Sequence, residues 1–364
     1  MLFRSSDRVR AFAAYSIGLL GERSSDPIIR ARVHTALSRA VFGDVPEAQG
    51  AALVAIGHVP LDWTEIDPNA GKGMFLDARS RRDQIGLVLS FFQDESQPEP
   101  LRALVPPTLA KLLQDAPEDE RILVAEVLLD SISAQADTSR QLQNGAVMAL
   151  GAIGNSGASA LDRRIHSEFE RIATRTGHHR LTRYLALIAL AQSASRPGPG
   201  EVPFEGLERA RKLFLKQMTR SRGQSLCWNA LALGLLERDA AVRGEMPSPE
   251  VTGGLRRMLE RNKTPEVAGA AAIALGLIRD IESATLLRER MLDTGEAHVR
   301  GYTALALGMI GARDSVAGIH QVLERASQQP FALQQAAIGL GLLGDESTGA
   351  VLFGMFGEAS DPQP

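Results

Sequence analysis

Basic side chains are the chemistry-bearing residues that this sequence concentrates most. Between Arg163 and Arg222 there are 13 Arg or Lys and 5 Glu, with no Asp, while the whole chain carries a net charge of −3. Arg209, Lys212, Lys216 and Arg220 fall at i, i+3, i+7 and i+11, one stripe of a helix. Arg211 and Arg222 lie in the same run, and Arg175, His178, His179, Arg180 and Arg183 cluster near the turn before it. A basic stripe can recognise phosphates or an acidic protein. A solvated outer helix face has the same pattern, so both readings stay open. The 35 Arg against 5 Lys fit codon bias in a GC-rich genome as readily as phosphate recognition.

Covalent and metal chemistry find little support. None of the seven histidines, His34, His58, His166, His178, His179, His298 and His320, belongs to an H-E-x-x-H pattern or is followed by Glu. His178 and His179 are adjacent in a turn, where neighbours rarely converge on one metal, and read as a solvated pair. Cys227 is the single cysteine. It permits neither an intramolecular disulfide nor a cysteine-based zinc site, and beside Trp228 it reads as a buried thiol. G-x-S-x-G is missing. The turn Asn69-Ala70-Gly71-Lys72-Gly73 lacks the first glycine and the final Ser or Thr of a phosphate loop. The expectation is no catalytic residue, no metal and no cofactor.

The elements that would carry the basic stripe repeat. "AAYSIGLLGERSSD", "AALVAIGHVPLD", "AVMALGAIGNSG", "NALALGLLERD", "AAIALGLIRD", "TALALGMIGARD" and "AAIGLGLLGDES" align on Gly18, Gly57, Gly151, Gly234, Gly276, Gly308 and Gly341. "RYLALIALAQSAS" is a weaker copy with Ala191 at the glycine position. From Gly151 the spacings are 40, 43, 42, 32 and 33 residues, within the range of solenoid repeats. Each unit starts with an Ala/Leu-rich run, turns at Gly, Asp, Arg or Ser, and continues in an amphipathic segment. In "GLERARKLFLKQM", Leu207, Ala210, Phe214 and Met218 share one helical face. Each unit is therefore predicted to be a helical hairpin. Its first helix is apolar nearly all round, and small residues let neighbouring backbones approach closely.

The pattern resembles the HEAT-repeat superfamily, and the short "AAIALGLIRD" and "TALALGMIGARD" units resemble its phycobilisome-lyase-like (PBS-lyase) subclass. The resemblance implies an all-α superhelix of about eight to nine hairpins over residues 1–357. An irregular insertion is expected at 60–82, and a loop at 193–203 reads as a plain connection or a hinge. A short disordered tail is expected at 358–364. Function is far less constrained, since such repeats host unrelated activities. The leading expectation is a non-catalytic protein-binding scaffold, with a bilin-lyase-like or other HEAT-type enzyme and nucleic-acid binding through 163–222 as alternatives. The deoxyhypusine hydroxylases, which bind iron through His-Glu pairs, do not match. Candidate contact residues are Arg175, Arg180, Arg183, Arg209, Arg211, Lys212, Lys216, Arg220 and Arg222, with Trp63 and Lys72 from the insertion.

No run reaches the roughly 18–20 apolar residues of a membrane span, and a cytoplasmic location is expected. The apolar segment "GAVLFGMFGEA", with Phe353 and Phe356, either closes the core or pairs with another chain.

Overall fold

The computed structural model describes residues 7–67, 76–133, 138–262, 264–326, 329–350 and 353–354. They form eighteen α-helices and no strand. The chain divides into two compact units, 1–154 with 159–189, and 155–158 with 190–364.

The first unit contains α1 (Asp7–Glu22), α2 (Pro27–Val41), α3 (Pro46–Ile56), α4 (Arg81–Gln93), α5 (Glu99–Arg102), α6 (Val105–Leu112), α7 (Glu118–Ser131), α8 (Arg140–Ile153) and α9 (Ala160–Thr174). The division falls inside α10 (Arg180–Ser195), whose end opens the second unit. There follow α11 (Glu205–Arg220), α12 (Gly223–Val242), α13 (Pro249–Arg261), α14 (Pro265–Ile278), α15 (Ala284–Asp293), α16 (Ala297–Ile310), α17 (Val316–Arg325) and α18 (Pro330–Leu342). Both units are stacks of helical hairpins, which places the chain in the all-α, α-solenoid class.

Local chemistry sets the ends of the helices. Asp26 accepts hydrogen bonds from the Ile28 and Ile29 amides at the start of α2. Ser80 and Asp83 form a capping box at α4. Proline occupies the first turn of α2, α3, α13, α14 and α18, where a missing N–H costs nothing. At the other end, α16 and α18 stop at left-handed glycines, Gly311 (φ 82°) and Gly344 (φ 71°). At α14 the same position is filled by Arg279 (φ 57°). In all three the amide one residue further on reaches back to the helix, as from Asp280 to the Leu275 carbonyl at 3.2 Å.

The recurring glycine is a contact point with the next repeat. A Cβ on Gly18 would lie 2.7 Å from the Ala55 Cβ, and one on Gly151 would lie 2.6 Å from the Ala189 Cβ. On Gly234 it would lie 2.8 Å from the Ala274 Cα, on Gly276 3.0 Å from the Ala306 Cα, and on Gly308 2.5 Å from the Gly339 carbonyl oxygen. Every partner stands two residues before the following repeat's glycine position. The weak copy obeys the rule, since Ala189 precedes Ala191 by two. In the second unit α12, α14, α16 and α18 therefore form a tightly packed inner layer, and α11, α13, α15 and α17 form an outer layer whose members meet each other far less.

The outer helices are clamped to the inner layer by charge. Arg211 donates from Nε to Glu237, which is fully buried, at 2.6 Å. Arg256 binds Asp280 through two nitrogens at 2.6–2.9 Å, and His320 lies 2.7 Å from Asp345. Each carboxylate follows the inner helix of its hairpin or sits in its last turns. In the first unit buried Arg121 donates to Asp162, Glu118 and the Ile153 carbonyl.

Two of the expected boundaries move. The irregular stretch after α3 ends at Ser80, so Arg81 and Arg82 belong to α4, because the capping box starts the helix there. α10 runs through Ser195, so the loop expected at 193–203 starts later. That loop is held by Arg196, whose carbonyl accepts from the Ser156 amide at 2.9 Å, and by Gly198 packed on Gly157. The tail at 358–364 lies outside the described residues.

Candidate partner-binding surface

Helix α11 presents the basic stripe as its spacing predicts. Arg209, Lys212, Lys216 and Arg220 are exposed along one side, while Leu207, Ala210 and Phe214 are buried on the other. Arg211 is not part of that exposed surface. Its guanidinium turns inward to Glu237 and also pairs with Glu208, as Arg256 and His320 do in later repeats.

Along the last turns of α11 the surface becomes a groove of about 520 Å³ against α13. Leu215, Met218 and Met258 floor it, and Arg222, Arg257 and Arg261 rim it opposite a single carboxylate, Glu250. All three arginines are exposed. Among the described residues, Lys212, Lys216, Arg220, Arg222, Arg257 and Arg261 enter no ion pair. Arg222, Arg257 and Arg261 give a positive field over this apolar floor, and Lys212, Lys216 and Arg220 extend the exposed positive charge along α11. The sequence reading missed Arg257 and Arg261 because they belong to the next repeat. Their i, i+4 spacing on α13 was the available signal.

The other predicted residues lie on the first unit. Arg175 follows α9 and Arg180 begins α10, both exposed, while half-buried Arg183 donates to the Ala173 carbonyl at 3.4 Å. His178 is not simply solvated. Its Nε2 lies 3.0 Å from Nη1 of Arg171, and burial, reinforced by that guanidinium, lowers its pKa. Trp63 is half-buried beneath the Arg81 guanidinium, 4.9 Å from its centroid. Arg81 is itself held by the Leu61 and Gln114 carbonyls at 2.6 and 3.1 Å. Beside it Leu61, Ile66 and Ala78 pack on Ala31, so the described part of the insertion is a fastened loop. Lys72 lies outside the described residues, as does most of the apolar C-terminal segment. Phe353, which is described, is 80% exposed.

Burial pushes the Cys227 thiol above its ordinary pKa, the opposite of what an activated nucleophile needs. Among the described residues no three His, Cys, Asp or Glu side chains are grouped to hold a metal, and no helix is long and apolar enough to cross a membrane.

No protein-family model matches the chain, and no curated protein matches it in sequence. Weak likenesses to solved structures are found. An engineered protein is 16% identical over 98% of this chain and 90% of its own, with a TM-score of 0.39. The karyopherin Kap121p bound to Pho4p is 13% identical with a TM-score of 0.48, covering 94% of this chain and 40% of its own. Kap121p bound to the extreme C-terminus of the phosphatase Cdc14p is 14% identical with a TM-score of 0.47, covering 97% and 38%. The chain thus spans about two fifths of those karyopherin chains. With TM-scores below 0.5 these likenesses carry no argument, and it is the hairpins of both units that make this chain a helical-repeat solenoid.

Proposed function

We propose that the protein is a non-catalytic scaffold that binds an acidic segment of another protein along the outer helix layer of its second unit. The observation that carries this reading is the groove between α11 and α13, where Arg222, Arg257 and Arg261 surround a floor of leucine and methionine. Methionine floors adapt to varied apolar side chains, and arginine forks match carboxylates. An acidic peptide with interspersed aliphatic residues satisfies both. Arg175 and Arg180 offer a separate exposed basic patch on the first unit. Within the HEAT superfamily, the spacings of 32 and 33 residues in the last repeats support the short PBS-lyase-like subclass.

Nucleic acid is the weaker reading. Single strands are held by aromatic platforms as well as by charge, and no aromatic side chain lines this groove. Phe214 of α11 is fully buried, and Phe204 is covered by Arg243, 4.3 Å from its centroid.

The test is crosslinking capture from the native host with the parent chain and a Lys216→Glu, Arg257→Glu, Arg261→Glu variant. The scaffold reading expects a protein that crosslinks to α11 or α13 and is lost with the variant. Equal capture by both, or a salt-sensitive preference for single-stranded nucleic acid, overturns it.

A further inference from the structure

The same unit carries a second groove of opposite character, on its inner layer. It encloses about 650 Å³ where the first halves of α12, α14 and α16 meet. Trp228 on α12 and Tyr302 on α16 form its two sides, both half-buried. Each stands six residues before its repeat's glycine, Gly234 or Gly308, so the array sets both rings at one height. Between them α14 offers only Gly269 and Ala270 at that height. A Cβ on Gly269 would lie 2.4 Å from Cδ2 of Tyr302. The small residues thus let the Tyr302 ring lie down on α14 and leave a slot towards Trp228. Phe331 of α18 backs Tyr302 edge-on, with centroids 4.9 Å apart. This concentration of rings occurs in a chain that is only 5% aromatic.

The fixed charges lining the slot are carboxylates, and the His298 imidazole is the one basic side chain in the lining. Glu266 and Glu296 are exposed at its rim, and no Lys or Arg lines it. Both carboxylates stand at helix starts, where the helix ends cancel part of their charge and leave no vacancy for an anion. The aromatic faces add the negative side of their quadrupoles. Leu231 and Ile273 extend the walls with aliphatic surface. An apolar slot with aromatic sides and a carboxylate rim complements one common side chain, arginine. Its guanidinium is flat, weakly hydrated, stacks on rings and forks to carboxylates, and its stem buries against apolar surface.

We propose that this inner groove takes an arginine side chain from an extended segment of a partner protein. The guanidinium lies against Trp228 or Tyr302 and pairs with Glu266 or Glu296. This site is distinct from the outer basic groove and selects the opposite charge.

Trp228 is a built-in reporter, because Trp63→Phe removes the only other tryptophan. In that background the probe is an acetylated, amidated nonapeptide with Leu-Arg-Leu at its centre and Gly-Ser flanks. The comparison peptide has neutral citrulline in place of arginine. Saturable change of Trp228 emission is expected with the arginine peptide, with affinity about tenfold higher than for citrulline and falling with salt. Glu266→Gln with Glu296→Gln is expected to erase that preference, because the arginine peptide loses far more than the citrulline peptide when the carboxylates are neutralised. Trp228→Leu, followed by calorimetry in a chain whose circular dichroism is unaltered, weakens both. Equal affinity for the two peptides overturns the proposal, as does no saturable change up to about 1 mM peptide. Self-association that the double Gln variant abolishes would assign the groove to a second copy and also overturn it.

Discussion

Replacing Gly308 by alanine tests the packing of the inner layer, because propensity and packing predict opposite signs. In an exposed helix interior, alanine is more stable than glycine by about 1 kcal/mol. At Gly308 the new Cβ would lie 2.5, 2.6 and 2.9 Å from the carbonyl oxygen, Cα and carbonyl carbon of Gly339. These are backbone atoms of α18, so no side-chain rotation relieves them. Ordinary contact begins near 3.4 Å, so α16 and α18 must separate by roughly 1 Å, which also loosens the small-residue contacts along both helices. Overpacking of this kind costs about 1–3 kcal/mol. The expected net effect is a loss of up to about 2 kcal/mol after the propensity gain is subtracted. Gly86 is the control. It is exposed within α4, and a Cβ there meets no described atom within 4 Å. Gly86→Ala should therefore gain about 0.5–1 kcal/mol. Urea unfolding reads both changes. Amide exchange locates the first, since neighbour-coupled repeats should release α17 and α18 earliest. If Gly308→Ala raised the midpoint as Gly86→Ala does, the close-packing argument would fail.

Other perturbations follow from the same contacts. Arg279→Gly should stabilise the chain by about 0.5–1 kcal/mol, because Arg279 holds the left-handed conformation that Gly311 and Gly344 supply elsewhere; a lower unfolding midpoint would refute this. Arg121→Met should cost about 3–5 kcal/mol by removing the guanidinium that neutralises buried Asp162, and pairing it with Asp162→Leu should recover part of that in a double-mutant cycle. His34 is fully buried, and burial lowers its pKa to about 4 despite the opposing field of Asp83. It stays neutral in the folded chain while the unfolded chain protonates below about 6.5. Stability should therefore fall by about 3 kcal/mol as pH drops from 6.5 to 4 and level off below. His34→Leu should remove that component, which pH-dependent denaturation would detect.

The repeat register was legible because Ala, Leu and Gly recur at fixed positions and the inner helices need them there. The partner of each glycine was not, since pairing Gly234 with Ala274 requires the three-dimensional offset between neighbouring repeats. The same limit hid the outer groove. Periodicity within α11 revealed its cations, but Arg257 and Arg261 join them only after one repeat stacks on the next. Arg211 misled for a related reason. It lies between exposed neighbours in sequence, yet only the position of Glu237 shows that it points inward. Trp228 and Tyr302 share an offset from the recurring glycine, a signal present in the sequence that counts only once repeats are known to align at equal height. The insertion after α3 was visible as a lapse in pattern, whereas Arg81 over Trp63 and the minicore beneath it depend on contacts with α2 and α4.

The glycine contact is directional: in the repeats of Gly18, Gly151, Gly234, Gly276 and Gly308 the glycine is a socket, and the plug that meets it stands two positions before the glycine position of the following repeat. Such an interface is generated by translation, so each junction is a copy of the last and asks nothing of residues beyond the adjoining pair. Whole repeats can be added or removed in the manner of links in a chain, with every new joint already matched. A single-residue insertion within an inner helix is a different event. It turns leucine into the socket, and the fault cannot be absorbed by its neighbours because their spacing is fixed by the same joint.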